Sequence, residues 1–395
     1  MSPSSQSVNL SEYLNSIPDP RIDRRKQHKL IDILIIGICA VISGANDFVH
    51  MAMFGKAKED WFKARLELPN GIPSHDTFAR VFSMVDPQYL EKAFFDWVRA
   101  LQSSMTQEET GSSNTVKNEE ILSFDGKTVR RSHDAINGKS AIHIVSAWAT
   151  TARLVVGQIK VDEKSNEITA IPELLDLLDV AGCLITIDAM GCQKAIARKI
   201  HEKNANYILA LKPNHPGFRT DVELFLEHAE ADKYQDLVTR TRSTVNKDHG
   251  RIETRKFRLI DLPDGIAWRD EKRDWPGLKS IGIVTATRQI GEKVSVDTRL
   301  FITSISAAQK GGILRFARGT RSHWGIENSV HWVLDMVFDE DRSRIRKDNA
   351  PENMSVIRHI ALNLFRQDKT TNESIKGKRL LASWDINYLQ KIIGI

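Results

Sequence analysis

Apolar and polar positions divide the chain into a helical front, a polar gap, an alternating middle and a helical end. The run LIDILIIGICAVISG, residues 30–44, is apolar on every side and predicts a buried core helix. Its stretch from Ile33 to Ile42 is too short to span a bilayer. A second helix over 47–66 carries Phe48, Met51, Met53, Phe54, Trp61 and Phe62 and stops before Pro69-Asn70-Gly71. Ser74 is placed to cap a helix bearing Phe78, Val81 and Phe82, and Asp86-Pro87 opens another with Leu90, Phe94 and Trp97. Two short helices meeting at a tight turn fit either DNA reading or plain packing. Residues 1–101 are therefore expected to form a helical domain, entered through the basic stretch RIDRRKQHK. Residues 102–119 are polar and rich in Ser and Thr, which predicts a linker.

Beyond the gap the period changes to two. Strands are expected at 120–125, 141–150 and 153–161, then a helix at 168–179, a strand at 183–188, a helix at 192–204 and a strand at 207–212. This is an α/β pattern: a mixed sheet flanked by helices. The right-handed crossover rule sets the strand ending at residue 188 parallel to an earlier one. If that neighbour is the first strand, the order is that of a ribonuclease-H-like core. A helix follows at 222–234. Antiparallel strands over about 240–306 then read as a β insertion. Helix returns at 311–338 and 352–366, with a weaker helical tail within 367–395. The catalytic unit is thus expected over 120–366.

Three acidic residues stand out against this frame. Asp125 lies in ILSFDGKTVRRS and Asp188 in CLITIDAMGCQ, each at the end of an apolar strand. Glu327 sits in the aromatic-rich helical stretch RSHWGIENSVHW. A lone Asp-Gly reads best as a surface turn. Two strand-borne aspartates with a helix-borne glutamate instead match a phosphoryl-transfer site with two Mg²⁺ ions, Mn²⁺ being the substitute. Asp125 would bridge both ions, Asp188 completing one shell and Glu327 the other. His323 and His331 match no zinc signature and are taken as structural packing.

Composition narrows the partners only a little. The chain has 395 residues, a formal charge of +5 and a pI near 8.9, which permits nucleic-acid binding without requiring it. Cys39, Cys183 and Cys192 have no metal-ligand spacing and read as buried free thiols. MSPSSQSVNLSEYL lacks the succession of a signal peptide, so a cytoplasmic protein with no membrane partner is expected.

Taken in order, FDGKTVRRS, TIDAMGCQKAIA, DHGRIETR and RSHWGIENSVHWVLDMVFDEDRSR resemble the bacterial insertion-sequence DDE transposases, of the H-repeat-associated type. The resemblance covers nearly the whole chain. It implies a ribonuclease-H-like core with a β insertion and a catalytic, metal-binding triad of Asp125, Asp188 and Glu327. It further implies Mg²⁺-dependent cutting and strand transfer on double-stranded DNA, at terminal inverted repeats and a target, by at least a dimer. DNA contacts would fall on His249, Arg251, Arg255, Arg321, His323, Arg342, Arg344 and Arg346, chiefly to phosphate. The chain departs from a Tyr-Arg-Lys signature common around the glutamate of related transposases: Thr320, His323 and Leu334 occupy those positions. The alternatives are a catalytically silent remnant that only binds DNA, and a free-standing nuclease.

Overall fold

The computed structural model describes residues 8–110, 119–134, 137–161, 166–212, 215–248, 250–263 and 274–395. The all-round apolar run becomes the helix Leu30–Ile42, in which every residue but Ile31 is buried. The expected helix over 47–66 is two, Phe48–Ala57 and Glu59–Lys63, broken at Lys58. Ser74 caps the helix His75–Met84 by accepting the Thr77 N–H, and Phe78, Val81 and Phe82 turn inward.

The next helix runs Pro87–Thr110. Residues 102–110 are therefore helix and not the start of a linker: the apolar stripe of Leu90, Phe94, Trp97 and Leu101 is buried and carries the helix well past residue 101. Residues 111–118 lie outside the described residues. The front helices are not packed apart from the rest. Leu34, Phe82 and Trp97 belong to the same apolar cluster as Phe124, Val155 and Ile360.

The strands are β1 (Ile121–Thr128), β2 (His143–Ala149), β3 (Leu154–Val161), β4 (Leu184–Ile187), β5 (Asn206–Leu211), β6 (Thr239–Asp248), β7 (Arg251–Asp261), β8 (Ser280–Ile290) and β9 (Lys293–Thr303). They form one nine-stranded sheet in the order β3-β2-β1-β4-β5-β9-β8-β7-β6. β1, β2 and β3 are antiparallel neighbours, while β1, β4 and β5 run parallel. The insertion starts at β6, and β9 pairs antiparallel with β5. It extends the main sheet instead of standing off it.

Period two gives the sheet two distinct faces. Ser123 and Thr186 point to the side of the helix Gly312–Ser322; Ser123 Oγ donates to Ser322 O, and Thr186 Oγ1 donates to Ser123 Oγ. Gly319 lets that helix sit close, since a Cβ there would stand 2.5 Å from Ile208 Cδ1. Gly126 and Gly157 point to the opposite side, against Glu167 and Leu174 of the helix Glu167–Leu177. The edge strand β3 is closed by a side chain. Asn363, on the buried helix Ala350–Gln367, accepts the Val155 N–H at 2.9 Å and donates to Val155 O at 2.8 Å.

The expected helix over 311–338 is interrupted. Gly312–Ser322 is followed by a short α-turn at Trp324–Ile326, a π-turn at Glu327–His331 and an α-helix at Trp332–Met336. The tail holds two helices, Ile375–Trp384 and Ile386–Ile393. Cys39 and Cys192 are buried and Cys183 half-buried, all as free thiols. Among the described residues no helix is long and apolar enough to cross a membrane.

Candidate active site

Asp125 lies inside β1 and not at a strand end, because β1 continues to Thr128 in register with β2. Phe124 pairs with Ile187 of the parallel neighbour, so Asp125 and Asp188 follow side by side. Asp188 is two residues beyond Thr186, on the face that Ser123 and Asp125 share. The Met190 N–H donates to Asp188 Oδ1 at 2.9 Å and orients that carboxylate.

Glu327 comes from the opposing helix. His331 joins it: Nδ1 is 3.0 Å from Glu327 Oε2 and 3.5 Å from Asp125 Oδ2. Asp125, Glu327 and His331 each offer a ligand atom within 4.8 Å of the others. His331 is buried, and its Nε2 has no hydrogen-bond partner among the described residues. The sequence reading took His331 as packing. The missed signal was its place four residues after Glu327, one turn along the same helix.

Burial pushes the Asp125 carboxyl up to about 6; His331 opposes the rise, while Asp188 and Glu167 add to it. Glu327 is held below the usual carboxylate range, first by its hydrogen bond with His331. His323 is half-buried, with Nδ1 3.3 Å from Thr186 Oγ1, and burial lowers its pKa against the pull of Asp188. It faces the carboxylate site rather than a basic groove. A desolvated Asp125 beside a second aspartate and an ionised glutamate makes a hard, anionic donor set. That set fits a divalent cation such as Mg²⁺ or Mn²⁺.

The arginines expected to contact DNA fall in two grooves. Arg251, Arg255 and Arg321 meet in one, lined also by Asn246, Asp248 and Glu253. Glu253 Oε1 accepts from Arg255 at 2.6 Å, and Glu253 Oε2 lies 3.9 Å from Arg251. His249, expected beside them, lies outside the described residues. Arg342, Arg344, Arg346 and Lys347 line the other, opposite His75 and the start of the helix Phe48–Ala57. Arg342 pairs with Asp339 at 3.6 Å, and Arg346 Nε donates to Arg131 O.

The family described as "Transposase DDE domain" matches residues 117–364, and that described as "DDE_Tnp_1-associated" matches residues 11–98. This chain belongs to the DDE transposase family. The DDE-family chain is 39% identical over 393 residues to the Escherichia coli (strain K12) protein named "H repeat-associated putative transposase YhhI", covering 97% of each. It is 39% identical over 387 residues to "Putative transposase YncI" of Escherichia coli O157:H7, covering 97% of this chain and 94% of the relative. Among solved structures, the piggyBac transposase synaptic complex with hairpin DNA is similar at 11% identity and a TM-score of 0.38, over 98% of this chain and 77% of that one. A score that low carries no inference.

At two of the three positions where the DDE-family chain departs from the Tyr-Arg-Lys signature, Thr320 and Leu334, the side chains turn inward. Thr320 Oγ1 donates to Phe316 O, and Leu334 is buried.

Proposed function

We propose that this DDE-family chain is the transposase of a bacterial insertion sequence, binding the element's ends and catalysing phosphodiester cleavage and strand transfer. The observation that supports this most is Asp125 on β1 beside Asp188 at the end of the parallel strand β4, with Glu327 meeting Asp125 from a helix. The strand order β3-β2-β1-β4-β5 with its parallel β1-β4-β5 core is the basis for reading the catalytic half as ribonuclease-H-like, interrupted by β6–β9.

Asp125, Asp188 and Glu327 are the groups that would hold divalent metal, Mg²⁺ or Mn²⁺, in a two-ion site. When bound, the metal supplies Lewis acidity that activates a weak oxygen nucleophile and neutralises charge on phosphorus. The chain's own residues do the rest. The Met190 N–H orients Asp188, and His331 orients Glu327 toward Asp125. Arg251, Arg255 and Arg321 in one groove, and Arg342, Arg344 and Arg346 in the other, would fix the phosphate backbone without reading bases. Cutting two ends together calls for at least a dimer on DNA. The place of action is the nucleoid.

The test is nicking of labelled DNA carrying the inverted repeats that flank the protein's own locus, in Mg²⁺, Mn²⁺ or EDTA, beside Asp188→Ala. End-specific nicks that need metal and vanish in the variant are expected. Salt-sensitive binding with no nicks in any metal would replace this reading with the silent, DNA-binding remnant, the reading that the inward-turned Thr320 and Leu334 favour.

A further inference from the structure

The carboxylate cluster has a second rung beside it. Lys127 is two residues beyond Asp125 on β1, so both side chains leave the same face. Its ammonium is 2.7 Å from Asp335 Oδ1, 2.8 Å from Glu340 Oε2 and 3.5 Å from Asp341 Oδ1, and the side chain is only 11% exposed. Glu340 is buried and is also paired with Arg358 NH1 at 3.3 Å. Burial alone would raise the Glu340 pKa, but Lys127 and Arg358 outweigh it and hold the carboxyl at about 2.

Asp335 follows Glu327 by eight residues on the interrupted helix. In an unbroken α-helix two turns take about seven residues, so residues eight apart drift off a common line. The π-turn removes the drift. The Trp332 N–H donates to Glu327 O, five residues back, and that wider turn absorbs about one extra residue. The carbonyl of Ser329, inside the same turn, accepts from Arg366 NH2 at 2.9 Å. The helix therefore presents Glu327, His331 and Asp335 to one strand. Asp125 meets the first two and Lys127 the third.

We infer that Lys127 is a positioning residue. By clasping Asp335 and Glu340 it sets the register of the π-turned helix on β1, and so holds Glu327 opposite Asp125. This rests on the reading of Asp125 and Glu327 as metal ligands, and it assigns Lys127 no contact with metal or DNA. It separates Lys127 from the arginines of the grooves, whose role would be phosphate contact.

The experiment has two arms on the full chain. Calorimetric titration with Mn²⁺ compares wild type, Lys127→Met, Lys127→Arg and Asp335→Asn. Lys127→Met and Asp335→Asn are expected to weaken Mn²⁺ binding by about 10- to 100-fold, the usual effect of removing a group that orients a ligand. Lys127→Arg is expected to recover most of the affinity. Amide hydrogen exchange without metal is expected to quicken across Trp324–Met336 in Lys127→Met, by about tenfold or more, and to stay unchanged in β5 and β9. Asp335→Asn keeps the Lys127–Glu340 pair and serves if Lys127→Met does not fold. Unchanged Mn²⁺ affinity and unchanged exchange in a folded variant would overturn the inference. A lower melting temperature with wild-type Mn²⁺ affinity would also overturn it, leaving Lys127 a stabilising ion pair only. Absence of Mn²⁺ binding in the wild type would sink the metal-ligand reading, while the exchange arm would still decide whether Lys127 sets the register.

Discussion

Asp125 stands in its folded position at an electrostatic cost. Its carboxyl is pushed from 3.8 to about 6, first by burial and then by Asp188 and Glu167. The folded chain holds this proton more tightly than the unfolded chain does. The site is thus least costly below the unfolded value and loses stability as pH rises through about 6. The shift is worth at most about 3 kcal/mol at neutral pH, less because the carboxylate is partly exposed. Asp125→Asn in EDTA is therefore expected to melt a few degrees higher than wild type at pH 7, with the gap closing toward pH 4. A gap independent of pH would contradict the assignment. Gly126 shows where sequence reading stops at this scale. Asp-Gly suggested a turn, yet Gly126 is an extended strand residue without a positive φ. It is small because Glu167 and His143, joined at 2.7 Å, cross the strand there and would collide with a Cβ. A glycine required for space and one required for a turn look alike in a sequence. Asp125, Asp188 and Glu327 could be singled out as candidates because two stand at apolar strands and one in an aromatic-rich helical stretch. Lys127 and Glu340 could not, since surface and buried charges look the same until their partners are known.

Among the elements, those with strong local patterns were legible: the helix Leu30–Ile42, the Ser74 cap, and the first five strands with their intervening helices. The handedness of crossovers set β4 parallel to an earlier strand, and the structure shows that this neighbour is β1, the case the sequence had left conditional. What stayed hidden depends on distant partners. The extension of the sheet through β5 and β9 joins residues near 208 to residues near 303. The π-turn has no local code, because it is stabilised in part by Arg366, far along the chain. The closing of β3 is of the same kind. Val155 sits where β3 carries one extra residue against β2, and the buried Asn363 amide supplies both of its backbone bonds. Asn363→Leu fits the volume but leaves a buried N–H and a buried C=O without partners, each costing about 1–3 kcal/mol. A loss of about 2–5 kcal/mol in urea unfolding is expected. A loss under about 0.5 kcal/mol would show that water replaces the amide at that edge.

For the whole molecule, the net charge of +5 says little until the charges are located. Six arginines line two grooves: Arg251, Arg255 and Arg321 at the inserted strands, and Arg342, Arg344 and Arg346 beside the segment 342–347. The first is partly neutralised from within, since Glu253 lies between Arg251 and Arg255. DNA entering that groove would compete with Glu253 for both guanidiniums. Each phosphate contact releases counterions, so binding should fall steeply as salt rises, and removing one contact should lower the slope by about one. Arg251→Ala with Arg255→Ala is expected to lower the slope of log affinity against log salt by about two, equally for specific and random DNA. Glu253→Gln, which frees the same arginines, is expected to tighten binding at every salt concentration. Asp188→Ala should leave the slope unchanged, because a carboxylate that holds metal, as proposed, would meet DNA only through cations. If the double arginine variant kept the wild-type slope while Arg342→Ala and Arg344→Ala reduced it, the path of the DNA would run along the 342–347 groove, and the inserted strands would serve the sheet alone.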